Sequence, residues 1–323
     1  MNVNAELSTR FSDWIETNLL KLDSSQVRSI SFDGTKADPE TRSIIPGQKF
    51  TLEKGEGATP WKIDGVIPPG QELDTGKVTS LTSALSDLKI VGVRPKPKGL
   101  AQALRKAATN VVRPTTQVEQ ISLVRAGFHT GSDGKLYSNQ GEVIVRTDGG
   151  AVYTLRFGEA LFASDDALTA GVEDEAKAKE AESKKSEGST ENRYLMVTVA
   201  FDPTLVPEPP KPPVELTIPD DPFWKAPDDP KRIAEEKAAK EKVDKEKADR
   251  EKQLATAETK VKAISDRFAD WYYVTPGDSF RSIALERPAL LKAISAEPPP
   301  GGGMPPGFPG MPKGAGLPQF HPR

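Results

Sequence analysis

Three pairs of adjacent carboxylates, Asp165-Asp166, Asp220-Asp221 and Asp228-Asp229, are the residues best equipped for acid–base work or for holding a metal. Each sits beside proline, serine or a small apolar residue in a stretch that reads as loop, and none lies in the frame of an EF-hand. Solvation and helix capping are their expected uses, because a carboxylate pair of the glycosidase type is defined by geometry rather than by spacing in sequence. The commonest general base is scarce. Only His129 and His321 are present, the first ahead of an Asp133-Gly134 turn and expected at the surface, the second in the tail. The absence of cysteine excludes disulfides, thiolate metal sites and cysteine nucleophiles from this chain. There is no G-x-S-x-G, no G-x-x-x-x-G-K-[ST] and no G-x-G-x-x-G opening a helix, and Gly76-Lys77 is only a partial echo of a phosphate loop. No catalytic, cofactor-binding or metal-ligating residue can be named, and the expectation is a protein that is not an enzyme and carries no cofactor.

A second group is cationic: Arg94, Lys96, Lys98, Arg105, Lys106 and Arg113. It could meet phosphates or the face of an anionic partner. No aromatic residues interleave with it as a single-strand nucleic-acid groove requires, so a solvated face is the expectation. The formal net charge of -3 gives no global field to attract nucleic acid or an anionic membrane. A third group is aromatic and polar: Tyr272-Tyr-Val274-Thr-Pro276-Gly277-Asp278-Ser279, with Ile283-Ala284 four residues on. This string resembles the opening of a LysM module, a β-α-α-β unit that binds N-acetylglucosamine polymers. The resemblance would make Tyr272, Gly277, Asp278 and Ser279 glycan-binding residues. It covers only the first half of such a module, since thirteen residues, Leu285 to Glu297, precede the prolines. The alternative is a plain strand, a turn and a helix capped by Asp278 or Ser279.

The elements that must position these groups are legible from periodicity. Val27–Phe32, Lys49–Glu53, Trp61–Ile63 and Lys89–Arg94 read as strands. Glu142–Arg146 and Val152–Phe157 flank Asp148-Gly149-Gly150, a strong hairpin signal, and Arg193–Phe201 extends the meander. Asp74 is placed to cap a helix running to about Leu88, with Val78, Leu81, Leu85 and Leu88 on one face. Gly99–Ala108 and Gln117–Ala126 read as short helices, and residues 10–22 as a short helix or an extended segment. Lys231–Lys262 reads as a long charged helix, solvated in its first half. Leu254, Ala257, Val261, Ile264 and Phe268 form the stripe that docks its end on the core.

Composition divides the chain. Hydrophobic residues make up 36%, charged residues 28%, and there are 29 prolines, a dilute average expected of ordered parts joined by disordered ones. Glu173–Gly188, rich in Ala, Lys, Glu and Ser, reads as an exposed insertion within about 165–190, and 202–230 as a proline-rich connector containing Trp224, the tryptophan best placed to dock on a neighbouring surface. Residues 298–323 read as a disordered Pro/Gly tail. No apolar run approaches the length needed to span a bilayer.

Arg10-Phe-Ser-Asp-Trp14 returns as Arg267-Phe-Ala-Asp-Trp271, and each copy is followed by Leu-Leu-Lys, at Leu19–Lys21 and Leu290–Lys292. The repetition points to a duplicated unit. On this reading residues 1–22 close a truncated preceding unit, 23–201 form an α+β domain, 202–230 connect it to the charged helix 231–264, and 265–297 close the domain. The Phe and Trp of each copy are expected in the core.

These words, together with Ser86-Asp-Leu-Lys-Ile-Val-Gly-Val-Arg-Pro95, Gly141-Glu-Val, Tyr153-Thr-Leu-Arg-Phe-Gly-Glu159 and Glu191-Asn-Arg-Tyr-Leu-Met-Val197, resemble the bacterial domain-of-unknown-function family 4340 over most of residues 7 to 293. The resemblance implies a repeated α+β unit with small antiparallel sheets and packed helices. It also implies exposure on the extracytoplasmic face of a bacterial membrane behind an N-terminal anchor, and kinship with auxiliary subunits of gliding-motility-type ABC transport systems. It supplies no catalytic residue. The chain opens on Met1-Asn-Val-Asn-Ala-Glu, without the anchor, so a late start or a fragment is the expectation. The leading reading is a non-enzymatic accessory or scaffold protein with envelope protein partners. A glycan-binding module at 272–284 and a carboxylate-only hydrolase are the alternatives.

Overall fold

The computed structural model describes residues 15–41, 43–55, 61–106, 111–163, 190–208 and 230–294, with side chains left out at 163, 190, 230–236 and 239. In chain order the elements are β1 (Val27–Asp33), β2 (Lys36–Asp38), β3 (Ser43–Ile45), β4 (Lys49–Glu53), β5 (Lys62–Ile63), β6 (Gln71–Leu73) and α1 (Thr75–Ser86). Next come β7 (Gly92–Pro95), α2 (Lys98–Lys106), α3 (Gln117–Arg125), β8 (Phe128–Thr130), β9 (Leu136–Ser138), β10 (Glu142–Thr147), β11 (Ala151–Ala163) and β12 (Thr190–Phe201). A long α4 (Pro230–Ala269), β13 (Trp271–Pro276), α5 (Gly277–Ile283) and β14 (Leu291–Ala293) complete the described chain. The class is α+β. Eight strands join in the order β5-β4-β1-β10-β11-β12-β13-β7, every neighbour antiparallel, and β14-β6, β2-β3 and β8-β9 form two-stranded sheets.

Alternation along the strands makes a three-layer body. Ile30, Phe32, Phe50, Leu52, Val143, Val145, Tyr153, Leu155, Phe157, Leu195, Val197 and Val199 lie in one core, beneath α1, α5 and the end of α4. Val78, Leu81 and Leu85 of α1 are fully buried there, and Asp74 accepts hydrogen bonds from the Gly76 and Lys77 amides, as its capping position requires. That carboxylate occupies the amides an anion would need, so Gly76-Lys77 is a helix start. Val261 and Phe268 of α4 are buried and Leu254, Ala257 and Ile264 partly so, while side chains from Lys240 to Asp249 are almost all exposed. The opposite face holds a smaller core of Leu100, Leu104, Leu123, Phe128, Leu136, Tyr194, Met196, Tyr272 and Val274, roofed by α2, α3 and the β8–β9 hairpin.

Of the two forms expected for residues 10–22, residues 15–22 take the extended one: Asn18 bridges to Lys89, the Leu19 amide donates to Leu88 O at 2.8 Å, and Leu19, Leu20 and Leu22 enter the larger core. Two expectations need correction. In the second repeat Phe268 is buried, but Trp271 is 40% exposed, at the rim of the sheet opposite Pro95, because Phe268 and Tyr273 already fill the space below. The Arg267 guanidinium of the second repeat donates to Leu19 O beside the first, at 2.9 Å. His129 belongs to β8, half-buried, rather than to a turn. The first copy of the repeat up to Trp14, the insertion, residues 209–229 of the connector with Trp224, the three aspartate pairs and the tail lie outside the described residues.

Candidate functional site

The cationic stretch is divided by the fold. Lys98, Arg105, Lys106 and Arg113 are exposed, but Arg94 and Lys96 are buried, contrary to a uniformly solvated face. The cause is β7. As an edge strand it tolerates Pro95, and its pairing sets Arg94 directly opposite Tyr272 on the face covered by α3. Lys96 follows, with its amide donating to Asp270 O at 2.8 Å. Its Nζ donates to Phe268 O at 3.0 Å and Trp271 O at 2.6 Å, and lies 5.2 Å from the centre of the Tyr272 ring. Carbonyls at a helix C-terminus lack intrahelical donors, and the negative end of the helix dipole is there, so a cation is the natural cap. Burial pushes the Lys96 amine down to about 7, with Asp270 acting in the opposite direction. The two carbonyls also favour its charged form.

Tyr272 is the hub. Its ring stacks on Phe128 at 5.8 Å and meets Tyr194 edge-on at 6.3 Å, and its hydroxyl shares a 3.2 Å hydrogen bond with Ser122 of α3. Burial raises the Tyr272 phenol to about 12, against the Ser122 hydrogen bond, so it stays neutral. α3 is held over this floor at both ends. At its start a capping box closes: Thr116 Oγ1 accepts from the Glu119 amide and Glu119 Oε2 accepts from the Thr116 amide, both at 3.3 Å, and Oε2 also accepts from the Thr115 amide at 2.7 Å. At its end the chain turns through Gly127, at φ +81°, directly against Gly158. There β11 carries an irregularity between Phe157 and Ala160, and the Glu159 amide donates to Ala126 O at 3.1 Å. A Cβ at Gly158 would overlap Ala126 O.

The result is a cleft of about 600 Å³ between α3 and the β7–β13 edge. Arg94, Lys96 and Arg125 line it together with Tyr272, and no carboxylate does. Val118 and Ile121, 68% and 43% exposed, stand on its α3 side. Beyond α3 lies a second groove of about 860 Å³ against the β2–β3 hairpin, lined by Ile44, Val124 and His129 among others. Burial lowers the His129 pKa, with Glu159 pulling the other way. Ile44, Ile45 and Val124 are also exposed, so α3 offers an apolar ridge between two grooves. Among the described residues no cluster of His, Asp and Glu could hold a metal ion.

The residues of the LysM-like string do not converge. Tyr272 is buried in the smaller core, whereas α5 packs Phe280 and Ile283 against the larger one. Gly277 is buried against Glu191 O, Asp278 is exposed and bonded to Arg281 at 2.6 Å, and Ser279 is half-buried. Neither Asp278 nor Ser279 caps α5; its cap position is Pro276, without a side-chain bond. β13 is paired on both edges, to β12 and β7, and β14 pairs with β6. The α3 ridge is absent from the residues singled out by sequence. Its signal was Val118, Ile121 and Val124 at spacings of three, a second apolar stripe on a helix that needs only Leu123 and Ala126 for its core.

Residues 2–103 match the model of a family described as "Domain of unknown function (DUF4340)". The match supports the DUF4340 family over a stretch that holds β1 to β7, α1 and part of α2. No curated protein and no solved structure matches the chain. Among the described residues no helix is long and apolar enough to cross a membrane.

Proposed function

We propose that this chain is a non-enzymatic accessory or scaffold protein of the cell envelope that docks a protein partner on its α3 face, on the extracytoplasmic side of the membrane. The observation that carries the docking is the exposed ridge of Val118, Ile121 and Val124, with Ile44 lining the same groove as Ile121 and Val124. Apolar side chains gathered on one surface and rimmed by polar groups mark interaction sites more often than chance. The envelope setting, and an ABC-type transport system as the partner, rest on the resemblance to DUF4340 alone. The test is affinity capture from detergent-solubilised membranes of the source bacterium, with wild-type protein and with the double variant Val118→Asp, Ile121→Asp. Recovery of transport-system subunits by the wild type and their loss with the variant is the expected result. Recovery of the same proteins by both, or of no envelope protein by either, would end this reading.

A further inference from the structure

We propose that two copies of this chain pair face to face through the open half of the sheet, about a two-fold axis lying along β1. This surface is separate from the α3 ridge, and its use goes beyond the docking reading. The smaller core roofs β12, β13 and β7, and the β8–β9 hairpin reaches back as far as Arg156, whose Nε donates to Leu136 O. Among the described residues the outer face of β4, β1 and β10 has no second layer. Strand register lays the side chains of that face in rows. The middle row is Thr51, Ser31, Ile144, Thr154 and Thr198, uncharged throughout and short but for Ile144. The row on the hairpin side is Lys49, Asp33, Glu142 and Arg156. It is neutralised within the chain, since Lys49 lies 2.7 Å from Asp33 and Arg156 2.7 Å from Glu142. The remaining row is Glu53, Ser29, Arg146 and Val152.

In that last row two charges are left over. Glu53 is exposed and has no ion partner among the described residues, and the Arg146 guanidinium donates only to Ser31 Oγ, at 2.8 Å. They stand on either side of Ser29, about 10 Å apart at ladder spacing. A half-turn about β1 exchanges the two positions. It sets Glu53 of each copy over Arg146 of the other and Thr51 over Ile144. The small Ser29 and Ser31 face their own copies, so the sheets can reach the roughly 10 Å spacing of packed layers. Opposite charges then meet twice and like charges nowhere in that row, the self-complementarity an isologous interface requires. Asp33 falls on the axis, held by its own Lys49 and by the Thr35 amide. β5 pairs only with Leu52 and Glu53, so beside Lys49 the sheet ends at β4 and leaves room for the other copy's β8–β9 hairpin. The overlap from β5 to β11 covers roughly 24 by 17 Å, about 400 Å² of face per copy. A standard interface takes about 800 Å² from each partner, so this dimer is reversible and forms at high concentration.

The experiment is sedimentation velocity of the full chain from about 10 to 500 µM, at low and at high salt. The wild type is expected to pass from monomer to dimer across that range, at lower concentration in low salt. The two-fold axis uses each contact twice, so Glu53→Arg or Arg146→Glu turns two attractions into two repulsions and is expected to weaken the dimer at least about tenfold. The Glu53 side chain is exposed, so Glu53→Arg should keep the fold, which far-ultraviolet circular dichroism checks for every variant. The double variant Glu53→Arg, Arg146→Glu again gives each copy one acid and one base, and is expected to recover the dimer. An equimolar mixture of the two single variants should form a heterodimer under conditions where neither self-associates. A wild type that stays monomeric throughout, a dimer indifferent to either reversal, or a double variant no better than the single ones would overturn the inference. So would a dimer that is lost with Val118→Asp, Ile121→Asp and kept with Glu53→Arg, because self-association would then belong to α3.

Discussion

Arg156 is the most informative residue to perturb. It is 1% exposed, its Nη2 lies 2.7 Å from Glu142 Oε2, its Nη1 donates to Thr198 Oγ1 at 3.1 Å, and its Nε donates to Leu136 O at 3.2 Å. It thus ties the β8–β9 hairpin, which roofs the smaller core, to the middle of the sheet. Burial lowers its basicity while Glu142 works to restore it. At this separation and an effective dielectric near 20, the Coulomb attraction is about 6 kcal/mol before desolvation is subtracted. Removing one partner of a buried pair typically costs about 3–5 kcal/mol, because the other charge is left uncompensated. Glu142 is 21% exposed, so water can partly replace its carboxylate, and Glu142→Gln should cost about 3 kcal/mol, at the lower end of that range. Arg156→Met should cost a similar amount, since Leu136 O and Thr198 Oγ1 lose their donor. The double variant should cost little more than either single change, a coupling of about 2 kcal/mol. Urea unfolding of the four proteins, followed by far-ultraviolet circular dichroism, measures each value. Additive losses, or a Glu142→Gln loss below about 0.5 kcal/mol, would refute the reasoning and show the charge to be solvated in the folded protein.

Other perturbations test the frame around the cleft. Phe268→Ala should destabilise by about 3–5 kcal/mol by opening a cavity, whereas Trp271→Ala should cost much less, and equal losses in urea titrations would contradict the burial difference between them. Thr116→Ala breaks the capping box of α3 and should cost about 1 kcal/mol; unchanged amide exchange in α3 would count against that role. Lys96 has a sign that can be worked out. The unfolded chain protonates this amine below 10.5, while burial in the fold opposes protonation down to about 7, so its contribution to stability increases as pH rises through that window. Urea midpoints between pH 7 and 10 should therefore rise more steeply for the wild type than for Lys96→Met. Parallel curves would mean that Phe268 O and Trp271 O hold the ammonium at its ordinary strength.

Much of the scaffold was readable because strands and helices announce themselves by period. β1, β4, the β10–β11 hairpin, β12 and α1 with its Asp74 cap fall where alternation and capping place them. The cleft was not readable in the same way. Arg94 and Tyr272 are neighbours only through pairing across the sheet, and nothing in either local sequence announces the other. Two cations read as a solvated run are buried because their strand happens to be covered by α3 and α2. Trp271 misled for a related reason: its composition suits a core, but its register leaves it on the rim. The LysM-like string forecast the strand and the helix, but the strand runs straight into the helix at Pro276 and Gly277 and neither Asp278 nor Ser279 caps it; its distinguishing residues are spent on separate structural tasks.

The strand order has a consequence for how the molecule comes into being. Both edges, β5 and β7, are made before residue 96, but the strand that receives β7 is β13, at Trp271–Pro276. Between β1 and β7 in the sheet stand β10, β11, β12 and β13, so the segment matched by the family model supplies two separated pieces of one surface. During synthesis β7 must wait for almost the whole described chain to leave the ribosome before it finds its partner, and pairings of such long sequence separation form slowly. The cleft, which is built on that last pairing, is then among the final features to exist, and a chain cut short before β13 would present β7, Arg94 and Lys96 with no surface to complete them.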